Sequence, residues 1–378
     1  RRCLLSAAYT DASVWEQRKK ETLALSELAA TMDQTFEKSA PVSSLVIARF
    51  VDNISSPEEV GQAEYYLYKF RHCSNCYYLR DWTIHSWIRQ CFKYGMRDRA
   101  LYTVKNKVQF GIFPDNFTFN LLIDSFLKDK DYKEATSIVE EVMLQEAFEL
   151  VSTQMLSLSA LSKYLATKPE LSWEEEKTIG TSLFLVGLTQ KNTVGFSTRL
   201  LGLALIGKVE LSRGIHKVYH RLPLIWTSGY LKRALSVMET LSSDFRELSV
   251  SADVVDGVEQ ILRDLSVLSD RGWNEGMEKS DLMEEDTKER LSLSEYIQRF
   301  NELKQQLQAQ NQIDSRSLES LVSLLTEENL PLCEEADLNE YHQKLKSWDA
   351  DRQQLLERET KSKSREKAED RTAERGQQ

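Results

Sequence analysis

Apolar residues recur along most of the chain at three- and four-residue spacing, with polar residues between them, the signature of amphipathic helices that each bury one face. Ile84, Trp87, Ile88 and Phe92 make one such stripe, and Phe119, Leu122, Ile123 and Leu127 make another. The two are copies. Residues 81–115 lie over residues 116–150 without a gap, at a constant separation of 35: Trp82 over Phe117, Thr83 over Thr118, Lys93 over Lys128, Ala100 over Ala135 and Val104 over Val139. In each copy the pattern predicts a first helix, a break near Gly95 or Lys130, and a second helix. Its alanine sits where the two helices of a hairpin approach closely. "QFGIFPD" then supplies Gly111 and Pro114 to stop the second helix and turn the chain.

Weaker copies flank these two. "EEVGQAEYYLYKF" aligns through Ala63 with Ala100, a separation of 37, and "SGYLKRALSVMETL" repeats the second-helix pattern around Ala234. "LIGKVELSRGIHKVYHRLP" resembles it with Gly214 in the alanine slot. Hairpins counted in this way stack into a solenoid, each burying its face against the next. The expected fold class is all-α: an α-solenoid of helix-turn-helix repeats followed by long charged C-terminal helices. The expected organisation is an N-terminal segment and helix over 1–40 and a repeat solenoid over 41–241. A capping helical region over 242–335 and a C-terminal helix with a disordered or frayed charged tail over 336–378 complete it. Residues 293–311 and 338–359 read as long polar helices with the narrow apolar stripe of a coiled coil, which wants a partner. The stretch 338–357 is expected to dock on neighbouring proteins, and 245–270 to cap the solenoid.

Composition agrees. Gly is scarce at 14 of 378 residues and Pro scarcer at 6, too little punctuation for a β-sandwich or barrel. Hydrophobic residues make up 41%, enough for a large core. No run of about 18 or more apolar residues occurs, so no membrane-spanning helix and no membrane partner are expected. Cys3, Cys73, Cys76, Cys91 and Cys333 are too irregular for a disulfide framework and point to a reducing compartment. The opening "RRCLLSAAYTDAS" has the Arg- and Ser-rich, acid-poor character of the trailing edge of a mitochondrial transit peptide, and equally that of a chain cut at a boundary.

At 35 residues per unit, "NFTFNLLIDSFLKDKDYKEATSIVEEV" with the ending "GIFPD" resembles the pentatricopeptide repeat. The wider chain, with its charged C-terminal helices, resembles the pentatricopeptide-repeat proteins of the mitochondrial small ribosomal subunit. The resemblance implies a matrix address and RNA bound along a face lined by first helices. Its partners would be the small-subunit ribosomal RNA and neighbouring ribosomal proteins, with messenger or transfer RNA as further candidates. In that family residue 5 of a unit and its last residue read one base. Here these are His85 with Asp115, and Asn120 with Leu150. Asn120 is of the family's usual type, whereas His85 and Leu150 depart from it, so contact with shape or phosphate is expected in preference to base reading.

The net charge is −10, which argues against nucleic acid until its distribution is considered. Residues 61–110 hold nine Lys or Arg against three acids, and residues 191–240 hold eight against two. Phosphate contact draws on such segments. The candidates are Lys69, Arg71, Arg80, Arg89, Lys93, Arg97 and Arg99 in the first, and Arg213, Lys217, Arg221, Lys232 and Arg233 in the second. Tyr77, Tyr78, Trp82 and Trp87 interleave with the first patch as candidate stacking surfaces or as core.

"RHCSNCYY" pairs Cys73 with Cys76, but a second ligand pair is lacking, since His216 and His220 lie far away in sequence. Two small thiols at a hairpin end are the expected reading, with no metal and no cofactor. No catalytic motif occurs. "WEEEK" and "MEEDTKE" read as helix N-terminal charge. Taken with the basic segments, the resemblance implies a non-enzymatic, RNA-binding ribosomal component that supports mitochondrial translation. The alternatives are a free-standing transcript-binding factor and a protein-only scaffold.

Overall fold

A computed structural model describes residues 4–244, 247–273 and 282–376, with side chains to residue 369. Cys3 and the last two residues lie outside the described residues. The fold is all-α, a series of helical hairpins, with one short parallel pairing of Val250–Ser251 and Ile313–Asp314. No described helix is long and apolar enough to cross a membrane.

The 35-residue shift is reproduced in the helix boundaries. Asp81–Lys93 and Arg97–Lys105 form one hairpin; Asn116–Lys128 and Tyr132–Leu144 form the next, each start displaced by 35. Gly95 and Lys130 occupy the same turn position with φ of 67° and 63°. Gly111, at φ 72°, closes the short helix Lys107–Phe110. Ala63, Ala100 and Ala135 are all fully buried, as the alanine slot requires. The upstream hairpin is Ser44–Asp52 with Pro57–Arg71, the latter begun by a Ser56 cap and Pro at its first turn.

The chain divides into two compact units, described separately. The terminal unit comprises Ala7–Thr118 and Glu334–Gln378. Its core is built from Ile47, Phe50, Val51, Leu67, Phe70, Trp87 and Ile88. The helix Leu318–Gly376 sends the stripe Tyr341 and Trp348 into this unit, where both are buried. That corrects the expectation that the stripe in 338–357 waits for an outside protein. Tyr341 stacks on Phe117, with ring centroids 4.0 Å apart, and Tyr9 stacks on the same ring at 4.7 Å. From residue 361 to 369 the helix is exposed throughout.

The central unit comprises the N-terminal residues to Ser6 and Phe119–Cys333. It is organised around Thr193–Arg213, whose neighbours are Trp173–Gly187, Tyr230–Ser243 and Ala252–Asp270. The "WEEEK" acids start a helix, as read. Ser172 and Glu175 form a reciprocal cap on Trp173–Gly187, with bonds of 3.2 and 2.9 Å. Asp286 of "MEEDTKE" caps Glu284–Leu291 in the same way and also accepts from the Ile215 backbone N–H at 2.8 Å. Gly214 departs from its expected alanine slot. It lies at φ 90° between Thr193–Arg213 and Ile215–Tyr219, and so ends a helix instead of packing inside one.

Candidate nucleic-acid interface

In the terminal unit, His85 and Arg89 lie one turn apart on Asp81–Lys93 and both are buried, His85 to 1% exposure. Arg89 Nε donates to His85 Nε2 at 3.2 Å, so Nε2 carries the lone pair and Nδ1–H donates to Thr118 Oγ1 at 2.8 Å. The Tyr341 hydroxyl also reaches Nε2, at 2.8 Å. Burial first, and then the adjacent Arg89 charge, hold the imidazole well below its ordinary pKa, in the neutral form. Both ring nitrogens are thus engaged inside the protein. Asp115 accepts from Lys344 Nζ and, at 2.9 Å, from the Thr118 N–H that follows it.

Beside this network is a cationic cleft of about 350 Å³, whose lining includes Arg18, Lys20, Arg89 and Lys93 against the single acid Glu16. Arg18 forms its wall. The guanidinium carbon lies 3.5 Å from the Trp15 ring centroid, and the group is ion-paired with Asp52. Lys93 is exposed, and Lys20 reaches the Asp52 carbonyl at 3.0 Å.

The other candidates of the first basic segment sit around the hairpin ends. Lys69 lies 5.4 Å from the Phe36 ring, and Arg71 Nε donates to the Val108 carbonyl at 2.8 Å. Arg80 is half-buried, with its Nε unpartnered; Arg97 is half-buried; Arg99 is held by both oxygens of Glu64 at 3.0 and 3.1 Å. Of the four aromatics interleaved here, Trp82 and Trp87 are core, while Tyr77 and Tyr78 stand in solvent. Cys73 and Cys76 are half-buried free thiols at the end of the helix Pro57–Arg71.

The central unit holds the second basic segment. Arg213 and Lys177 both lie over the Trp173 ring, at 6.0 and 5.5 Å. Lys177 Nζ donates to the carbonyls of Lys217 and His220, each at 3.0 Å. Burial lowers the Lys177 pKa; the Glu174 carboxylate opposes this, and the Arg221 and Lys217 charges add to it. Arg221 and Lys232 are exposed. Arg233 lies 3.8 Å from the Tyr230 ring centroid and donates to the Thr227 carbonyl at 2.6 Å. Asn120 is fully buried; it donates to Ser152 Oγ at 2.9 Å and accepts from Thr153 Oγ1 at 2.8 Å. Leu150 is the N-cap residue of Val151–Ala166.

The family model described as mitochondrial 28S ribosomal protein S27 matches residues 1–378. The chain belongs to that family. It is therefore a mitochondrial protein of the small ribosomal subunit, in a family of ribosomal structural proteins.

For a member of the S27 family, the structure adds charged residues that sequence reasoning passed over: Arg18 and Lys20 of "EQRKK", which come to lie beside Arg89 and Lys93. The signal was present as a run of three cations in residues 18–20. It was passed over because it falls outside the repeats.

Proposed function

We propose that this chain is a non-enzymatic, RNA-binding component of the mitochondrial small ribosomal subunit, working in the matrix and supporting translation. Its hairpins act as pentatricopeptide-type repeats whose basic surfaces meet the phosphates of ribosomal RNA, while its remaining exposed helical surface meets neighbouring ribosomal proteins. The observation that carries this reading is the gathering of cations in a chain of net charge −10. Arg18, Lys20 and Lys93 share one cleft over the buried Arg89, and Arg213, Lys217 and Arg221 gather in the other unit around the buried Lys177. Phosphate contacts dominate nucleic-acid affinity. The internal engagement of His85 and Asn120 favours contact with backbone and shape over a base-by-base code.

Ultraviolet crosslinking of the tagged protein in cells, with sequencing of the recovered RNA, tests it. Crosslinks at a few positions of the small-subunit ribosomal RNA are expected. They should be lost when Lys20, Lys93, Arg221 and Lys232 are all changed to Glu. Crosslinks spread over particular transcripts would instead support a free-standing transcript factor. No recovery above an untagged control would leave a protein-only scaffold.

A further inference from the structure

Large aromatic side chains that stand in solvent are concentrated, among the described residues, in one short stretch. Tyr65, Tyr68, Tyr77, Tyr78, Tyr102 and Phe113 are exposed there, and Trp226 is elsewhere. Tyr65 and Tyr68, 52% and 40% exposed, lie on Pro57–Arg71; Tyr102, 50% exposed, lies on Arg97–Lys105. These are the second helices of consecutive hairpins. Tyr65, Tyr68, Lys69 and His72 follow the spacing of a single helix face. The 37-residue shift that superposes Ala63 on Ala100 also places Tyr65 on Tyr102 and Tyr68 on Lys105, so the first tyrosine recurs and the second is replaced by a cation. In the following unit those slots hold Ser137 and Glu140, and the stripe stops.

Contacts join the two helices into one surface. The Phe110 ring lies 5.8 Å from Tyr68 and 5.7 Å from Tyr102, and the His72 ring lies 4.2 Å from Tyr68. Lys69 Nζ is 6.0 Å from the Tyr65 ring, and the bond from Arg71 to the Val108 carbonyl lays its guanidinium along the same edge. No acid stands between the rings: Glu64 is held by Arg99, and Glu59 by the backbone N–H and hydroxyl of Ser55. The exposed Glu58 and Asp98 sit on the same face in the first turns of the two helices, seven residues before Tyr65 and four before Tyr102.

We infer that this second-helix face is a platform for single-stranded RNA, with bases stacked on Tyr68 and Tyr102 and phosphates met by Lys69, Arg71 and Lys105. It deepens the RNA-binding reading above and rests on it. Two arguments select the occupant. Protein interfaces are depleted of lysine at their centre, whereas here lysines stand among the aromatic rings. Duplex RNA hides its base faces, so exposed rings between cations suit an unpaired strand.

The test uses the purified full-length chain with fluorescein-labelled oligouridine and an RNA duplex of equal length, read by anisotropy. Changing Tyr68 and Tyr102 together to Ala should weaken oligouridine binding on the order of tenfold to a hundredfold, with duplex binding changed by less than about twofold. Changing both to Phe, which keeps the stacking surface, should retain binding. Circular dichroism of the exposed double variant checks its fold. Unchanged oligouridine affinity in the Ala variant, or equal losses on both RNAs, would overturn the platform while leaving general RNA binding intact. Failure of the unaltered chain to bind either RNA would remove the RNA reading itself. An Ala variant that keeps RNA affinity but no longer sediments with the small subunit would assign the face to a protein.

Discussion

Lys344 Nζ lies 2.8 Å from Asp115 Oδ2, although 229 residues separate them in sequence. The pair ties the C-terminal helix to the turn that precedes Asn116–Lys128, within the terminal unit. Burial alone would raise the Asp115 pKa, but the Lys344 charge and hydrogen bond hold it below the ordinary carboxylate value. A depressed carboxylate contributes stability above its unfolded pKa and loses it as pH falls through the folded one. Lys344→Met should therefore cost about 1.5–3 kcal/mol near neutral pH, the range for hydrogen bonds to charged groups. That cost should shrink toward zero in acid, where Asp115 is protonated in both proteins. Urea unfolding at neutral and acid pH measures both. An equal cost at both would remove the ion pair as the cause.

The two helices Trp173–Gly187 and Thr193–Arg213 approach so closely that a Cβ on Gly202 would lie 2.5 Å from the Gly180 carbonyl oxygen and 2.7 Å from the Phe184 nitrogen. Gly202→Ala should push the helices apart and destabilise by about 1–3 kcal/mol, despite the better helix propensity of alanine. Gly61 supplies the contrast, because a Cβ there would meet nothing within 4 Å. Gly61→Ala should stabilise by roughly 0.5–1 kcal/mol. Denaturant midpoints of the two variants on opposite sides of the parent are the expected result.

The repeat was legible because its determinants are local. Stripe spacing, an alanine slot and a turn after each first helix survive in any copy, and the boundaries moved by the 35 residues that the alignment required. What escaped the sequence depends on contacts made at a distance. Nothing around His85 shows that Tyr341, 256 residues away, will cover it. The narrow stripe at Tyr341 and Trp348 is equally compatible with an outside partner and with burial at home. Trp82 and Tyr77 looked alike as interleaved aromatics; only the packing separates a core ring from an exposed one. Gly214 shows the other failure: a small residue fits a close-packing slot and a left-handed helix end equally well.

His85 makes the terminal unit sensitive to acid. Its folded pKa lies well below the ordinary value, so the unfolded chain takes up the proton first. Its contribution is fully present above about pH 6.5 and is lost as pH falls below it. His85→Gln keeps polar atoms toward Thr118 and Tyr341 without a titrating ring, and should flatten that acid-side loss. Hydrogen exchange of the amides in Asp81–Lys93, followed from pH 7 to pH 5 and corrected for intrinsic rates, reads this unit by itself. Identical pH dependence in the parent and the variant would exclude the imidazole.

Glu210 predicts the opposite trend in the central unit. Its carboxylate accepts from the N–H groups of Gly229 and Tyr230 at 2.8 and 2.9 Å, yet burial pushes its pKa up to about 7, with Glu289 adding to the rise. A carboxyl that binds its proton more tightly when folded loses stability as pH rises from the unfolded pKa to the folded one. The window here runs from about 4.5 to about 7, and the shift corresponds to about 3 kcal/mol at most. Glu210→Gln should remove that slope. It should also lower the overall level, since one amide oxygen cannot accept from both N–H groups as well as two carboxylate oxygens do. Hydrogen exchange at Tyr230–Ser243 over pH 5–8 separates the two effects: the level reports the lost acceptor, and the slope reports the titration. A slope in the Gln variant as steep as in the parent would assign the pH dependence to another group.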